Sequence, residues 1–202
     1  MNTPPAADKP FAPACERNAE PIAAQLQPYL PGRKTLLEIG SGTGQHAAAL
    51  AGRWPQLQWQ TSDVAAQLPG IRNWLYEAGL DNTPAPLILD LNDSAWPRLH
   101  AEVVFSANTL HIISWPQVQT LFQRLEPIID QGGLLIIYGP FKYRGEFTSP
   151  SNADFDAQLR AADPQRGIRD AEAVDELAAG IGLTLLADHA MPANNQMRVW
   201  QR

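Results

Sequence analysis

Apolar residues along this chain fall into short extended runs and into stripes at three- and four-residue spacing, and the two patterns alternate. Thr35–Ile39, Leu57–Ser62, Pro86–Leu89, Val103–Ser106 and Leu134–Tyr138 predict five strands. The fifth, LLIIY, has no polar alternation, as in a strand covered on both faces. Between the runs the spacing turns helical. From Glu16, residues Ile22, Leu26, Tyr29 and Leu30 predict a helix with Pro21 in its first turn and Pro31-Gly32 as its stop. Gln45–Trp54 is an alanine-rich helix ended by Pro55, and Pro69–Ala78 carries Ile71, Trp74 and Leu75 on one face. Pro116 opens a stripe of Val118, Leu121, Phe122, Leu125, Ile128 and Ile129, after which Gly132-Gly133 turns into the fifth strand. Ser151 with Asp154 predicts a capping box ahead of Phe155 and Leu159, and Ala171–Ala179 a further helix. Two last extended segments, Leu183–Ala187 and Met197–Gln201, flank a turn with Pro192, Asn194 and Asn195 and fit an antiparallel hairpin. Such alternation predicts an α/β fold built from βα units on a mainly parallel sheet. Residues 1–15, with Pro4, Pro5, Pro10 and Pro13, read as a mobile arm. Residues 16–202 read as one domain with a loop-and-helix insert between the fifth and sixth strands.

Composition narrows the function classes. The 202 residues suit one domain. Fifteen Lys and Arg against 21 Asp and Glu give a net charge of −6, which argues against a dedicated nucleic-acid binder. The single cysteine, Cys15, excludes an intrachain disulfide framework and a cysteine-based zinc cluster. The four histidines are scattered without ligand spacing, so no metal is expected. No apolar run approaches the ~20 residues of a membrane span, and no signal peptide is visible. A soluble cytoplasmic protein with a small-molecule partner is expected, with no membrane partner and with monomer and homodimer both open.

The most informative segment is LLEIGSGTG, residues 36–44. A strand running into Gly40, Ser41, Gly42, Thr43 and Gly44 brings backbone amides close to a ligand that Cβ atoms would hold away. Asp63 follows Gly42 by 21 residues, at the end of the next strand, where a carboxylate can accept two ribose hydroxyls. Asp90, followed by Leu91, ends the third strand, where a second acid can reach an adenine amine. The ligand is a dinucleotide or S-adenosyl-L-methionine. The dinucleotide fingerprint places glycine or alanine where this chain has Gln45, which counts against an NAD-dependent oxidoreductase.

The spacing G-x-G-x-G after Glu38 resembles motif I of the class I S-adenosylmethionine-dependent methyltransferases. The resemblance implies a Rossmann-like seven-stranded mixed sheet of order 3-2-1-4-5-7-6, with strand 7 antiparallel and helices on both faces. It implies Glu38 near the methionine amino group, Asp63 on the ribose and Asp90 on the adenine side. CERNAEPI (15–22), SANTLHI (106–112), YGPF (138–141), FTSPSNADFD (147–156), DPQRGIRD (163–170) and MPANNQ (191–196) are similar to a narrower branch. That branch is the methyltransferase-like twenty-six group, catalogued as a domain of unknown function. The expected function is methyl transfer to a small-molecule acceptor. A non-catalytic cofactor- or partner-binding module on the same fold stays open beside it.

The other candidates come from those segments. Arg17 is expected against the carboxylate of the cofactor, or as helix-end polarity. Asn108, after strand four, is expected to line the methyl-donor pocket. His111 is a candidate base for a hydroxyl or amine nucleophile, or a histidine satisfied in the core. Tyr138, Phe141, Asn152, Arg169, Asn194 and Asn195 are expected acceptor contacts, with aromatic walls, amides and one guanidinium suited to a carboxylate or phosphate. Ordinary turn chemistry is the alternative for the asparagines, and a surface ion pair for Arg169.

Overall fold

The computed structural model describes residues 9–94 and 96–202. The chain divides into two compact units, Met1–Trp96 with Ala101–Ser106, and Pro97–His100 with Ala107–Arg202. The first unit carries α1 (Pro13–Leu26), β1 (Thr35–Ile39), α2 (Gln45–Leu50), a 3₁₀ turn (Ala51–Arg53), β2 (Gln58–Asp63), α3 (Leu68–Ala78), β3 (Leu87–Ile88) and nearly all of β4 (Ala101–Ala107). The second carries α4 (Trp115–Leu125), β5 (Ile129–Gly139), β6 (Phe141–Tyr143), β7 (Glu146–Phe147), α5 (Pro150–Ala162) and β8 (Arg169–Asp170). It continues through α6 (Ala171–Gly180), β9 (Thr184–Met191), a 3₁₀ turn (Pro192–Asn194) and β10 (Asn195–Gln201).

Seven strands form one mixed sheet in the order β3-β2-β1-β4-β5-β10-β9. With β9 and β10 as the sixth and seventh strands, this is the order the resemblance implied. β1 runs parallel to β2 and β4, whereas β10 is antiparallel to β5 and β9. β1, β4 and the second half of β5 are buried almost throughout, which is why they read as apolar runs. β9 lies at the sheet edge and exposes Leu185 and Leu186. Among the described residues no helix is long and apolar enough to cross a membrane.

Several boundaries depart from the sequence reading, each for a local reason. Of the arm expected over 1–15, residues 1–8 lie outside the described residues, and residues 9–15 are held in place. Pro10 packs against Gly70 and its carbonyl accepts Trp74 Nε1 at 2.7 Å, while Phe11 stacks on the Trp74 ring. Pro13, not Pro21, sits at the start of α1, where its missing N–H costs nothing. Pro21 lies inside that helix and removes one backbone bond, which burial of Ile22, Ala23 and Leu26 offsets. α2 ends at Leu50 and tightens into the 3₁₀ turn before Pro55.

Ser114 and Gln117 form a reciprocal capping box on α4 that the sequence reading missed. Ile128 and Ile129 fall outside that helix, and Ile129 already begins β5. The strand continues across Gly132-Gly133, with Gly132 at a φ of +72°. Gly132 N–H donates to the Arg202 carbonyl and Arg202 N–H to the Gly133 carbonyl, so the end of the chain continues the ladder. The cap of α5 is Ser149, whose hydroxyl accepts Asn152 N–H at 3.2 Å, because Pro150 takes the first helical position ahead of the expected Ser151.

The insert also holds a small sheet, β7-β6-β8. Its two-residue turn, Arg144-Gly145, has positive φ at both positions, as a type I′ hairpin requires. Asp170 and Glu172 accept the two turn amides at 2.7 and 3.0 Å. Nearby, Arg198 is almost fully buried and pairs with Asp175 at 2.8 and 2.7 Å and with Asp188. Asp175 also accepts Trp200 Nε1 at 2.9 Å, tying β10 to α6.

Candidate functional site

In the first unit the turn after β1 is built around its own backbone amides. Ser41 N–H donates to the Ser62 carbonyl at 3.0 Å, and Ser62 N–H returns to Ser41 Oγ at 3.1 Å. This reciprocal pair fixes the bend against β2. Gly42 N–H donates to Asp63 Oδ2 at 2.7 Å, and Asp63 Oδ1 accepts Val64 N–H at 2.7 Å. Gly42 and Asp63, 21 residues apart, are therefore in direct contact. Burial pushes the Asp63 carboxyl up, while these two amides pull it down. A Cβ placed on Gly42 would meet nothing within 4 Å, so the space over the turn is open.

Gly44 is required sterically as well as conformationally. Its φ is +87°, and a Cβ there would sit 2.9 Å from Ile71 Cα in α3. Backbone cannot swing aside as a side-chain tip can. Gly44→Ala is expected to lose roughly 2 kcal/mol or more of stability, combining left-handed strain with the clash. Urea melts check this, and an unchanged midpoint would contradict the close approach.

Glu38, on β1, is fully buried and accepts Trp59 Nε1 at 2.9 Å. Burial pushes its carboxyl up to about 7, against the pull of the indole. Among the described residues no cation pairs with it. Cys15, in α1, lies close enough to Glu38 and Thr43 to feel both, and burial raises its thiol. Gln45 explains its own departure from the dinucleotide pattern: its side-chain oxygen accepts Ala12 N–H at 2.6 Å and the Thr43 hydroxyl at 2.9 Å. A glycine or alanine there would release the N-terminal segment from the turn. Arg17 is exposed on α1. Asp90 stands two residues beyond β3; its carboxylate accepts Asn92 N–H at 2.8 Å, and Leu91 beside it is half-buried.

In the second unit Asn108 directly follows β4 with φ of +56°, a conformation Asn tolerates better than most residues. Its N–H donates to the Tyr138 carbonyl at 2.8 Å. His111 is buried, with its ring edge-on to Phe155 at 5.4 Å. Burial, helped by the Arg169 charge, lowers its imidazole to about 4, so it is neutral at pH 7.

Several expected acceptor contacts are corrected by the structure. Arg169 is not available as an anion fork through its Nε and Nη2. These donate to the carbonyls of Leu110 at 2.9 Å, Ile113, and Gln165 at 3.0 Å, so the guanidinium braces the turn around His111. Among the described residues it pairs with neither Asp170 nor another acid through these atoms. Asn152 is buried and donates to Thr148 Oγ1 and the Asn194 carbonyl, both at 2.9 Å; Asn194 Nδ2 returns to Ser151 Oγ at 3.2 Å. That cross-link ties α5 to the β9–β10 turn. Asn195 Nδ2 donates to Pro192 within the same turn. Phe141 is buried beneath the Arg198 guanidinium. Tyr138 is buried too, and burial pushes its phenol up to about 12. These asparagines and Phe141 are thus engaged with neighbouring segments of the fold.

Sequence reasoning missed the contacts that Trp59, Gln45 and Phe155 make. A tryptophan alternating toward the same face as Glu38 was a visible signal. The contacts of Gln45 and Phe155 come from segments far apart in sequence and left none.

The sheet order, the antiparallel β10 and the glycine turn after β1 define a class I S-adenosylmethionine-dependent methyltransferase fold. Solved structures agree. The S-adenosylmethionine-dependent methyltransferase SibL in its apo form superposes with a TM-score of 0.78 at 23% identity, over 94% of this chain and 55% of its own. An O-methyltransferase family 2 protein from Planctomyces limnophilus DSM 3776, in complex with apigenin, gives 0.75 at 18%, over 94% and 60%. Mitomycin 7-O-methyltransferase MmcR gives 0.81 at 19%, over 94% and 54%. The chain thus spans little more than half the length of these enzymes. It belongs to the family described as Protein of unknown function (DUF938), which it matches over residues 9–202.

Proposed function

We propose that the chain is an S-adenosylmethionine-dependent methyltransferase acting on a small-molecule acceptor, in the methyltransferase-like twenty-six group, with residues 16–202 working as one domain. The observation that carries the reading is the Glu38–Gly42–Asp63 arrangement. A buried carboxylate with no cation beside it suits the ammonium of a methionine moiety. Open space over Gly42, next to an acid already oriented by two amides, suits a ribose. Asp90 and Leu91 would face the adenine, and Arg17, Gly40, Ser41, Thr43 and Gly44 would complete the surround. Gln45, committed to Ala12 and Thr43, weighs against the dinucleotide reading.

Bound S-adenosylmethionine would supply a methyl group made electrophilic by its positive sulfur. The protein's part is then alignment and exclusion of water. Asn108, at the end of β4, would orient the acceptor side, and neutral His111 can accept a proton from a hydroxyl or amine. A base at about 4 is weak for ionising an acceptor beforehand, so it suits proton acceptance during attack.

Calorimetry with S-adenosylmethionine, followed by detection of S-adenosylhomocysteine after incubation with a metabolite extract, tests this. Binding with turnover is expected. Binding without turnover on any extract would favour a non-catalytic module, and NADH binding with no response to S-adenosylmethionine would overturn the assignment.

A further inference from the structure

The last residue of β5, Gly139, lies where two polar side-chain atoms converge. A Cβ built on Gly139 would be 3.7 Å from Asn108 Oδ1 and 3.7 Å from His111 Nδ1. Among the described residues neither side chain makes a hydrogen bond. Neither atom is sealed from solvent, so two hydrogen-bonding atoms that meet over a bare glycine mark a place where a ligand atom can sit. The notch is held rigidly: Asn108 N–H is bonded to the Tyr138 carbonyl, Gly167 N–H to the His111 carbonyl at 3.0 Å, and Arg169 to Leu110 and Ile113. Two of its positions, Asn108 at φ +56° and Gly139 at φ +156°, have the positive φ that clusters at ligand clamps.

One exposed apolar side chain stands beside this notch, and a second, Ile112, follows His111 in sequence. Phe155 is 36% exposed although its ring meets His111, and Ile112 is 39% exposed. An amide oxygen accepts hydrogen bonds, a neutral imidazole accepts at the ring nitrogen that carries no proton, and neither offers positive charge to a carboxylate. Phe155 offers a flat face.

We propose that the Asn108–His111–Gly139 notch binds the methyl-accepting group as a neutral O–H or N–H donor, carried on a planar ring that lies against Phe155 and Ile112. This rests on the methyltransferase reading and adds the class of acceptor, a phenol or an aryl amine. Gly139 sets the clearance, because any side chain there fills the notch.

The test uses the full chain with ¹⁵N-labelled histidine, titrated with phenol, aniline and toluene, with and without S-adenosylhomocysteine. Phenol or aniline is expected to shift the His111 ring nitrogens at least about threefold more than toluene. The two arms tell hydroxyl from amine acceptors. Gly139→Ala should abolish the difference. Asn108→Gly, which suits the left-handed backbone and removes the amide, should weaken probe binding about tenfold even if Gly139→Ala does not fold. Equal shifts with all three probes, or Asn108→Gly binding phenol and aniline as the wild type does, would overturn the notch. Uptake of S-adenosylhomocysteine with no probe response sinks this inference alone. A probe response without that uptake sinks the donor reading and leaves the notch standing.

Discussion

Asp63→Ala is expected to weaken S-adenosylmethionine binding at least about 100-fold in titration calorimetry. Two charge-assisted hydrogen bonds to ribose hydroxyls, at roughly 1.5–3 kcal/mol each, cover that factor, since tenfold in affinity is about 1.4 kcal/mol. The substitution also frees Gly42 N–H from its 2.7 Å bond, so the turn loses an anchor together with a ligand contact. Asp63→Asn separates the two contributions, because an amide oxygen can still take Gly42 N–H but carries no charge. It should fall between wild type and Asp63→Ala. Unchanged affinity in Asp63→Ala would remove the main support for the assignment.

Glu38→Gln should make the protein more stable at pH 8 and less able to bind. The folded carboxyl sits near 7 against an ordinary value of about 4.5. A carboxyl raised by folding contributes stability that is complete below about 4.5 and is lost as pH climbs through 7. At pH 8 the buried anion therefore costs up to roughly 3 kcal/mol, at about 1.4 kcal/mol per pK unit. Glutamine keeps an oxygen for Trp59 Nε1 and removes the charge, so thermal melts at pH 8 should rise and those at pH 4 should hardly move. His46 and His111, both lowered to about 4 mainly by burial, act in the opposite sense: their share is present above about 6.5 and lost as pH falls toward 4. The variant, freed of the Glu38 slope, should gain stability steadily from pH 4 to 6.5. If Glu38 faces an ammonium, wild-type affinity for S-adenosylmethionine should strengthen as pH rises through 7, and Glu38→Gln should lose about tenfold or more together with that dependence. A variant that binds as tightly as wild type at pH 8 would show that this acid is structural.

The two predictions oppose stability and binding at one residue. A buried carboxylate is costly to keep without a partner, and the strand could have carried an apolar residue there, as its neighbours Leu37 and Ile39 do.

What could be read from the chain alone was whatever depends on near neighbours in sequence. The alternation of runs and stripes determined the α/β class, since strand and helix periodicities are local properties of the backbone. The glycine turn and Asp63 were legible because each sits at the end of a strand, and parallel neighbours bring such ends together. Boundaries failed where a distant segment intervened: Arg202 carries β5 through Gly132-Gly133, and Trp74 with Gln45 holds residues that read as a free arm. The roles of Arg169, Asn152 and Asn194 also needed the fold. A guanidinium or an amide has the same donors in a pocket or in a brace, and only the carbonyls of Leu110, Ile113 and Gln165 decided which Arg169 serves. Proximity of residues dozens of positions apart is decided by packing, and packing likewise placed Asn108 and His111 over the bare Cα of Gly139.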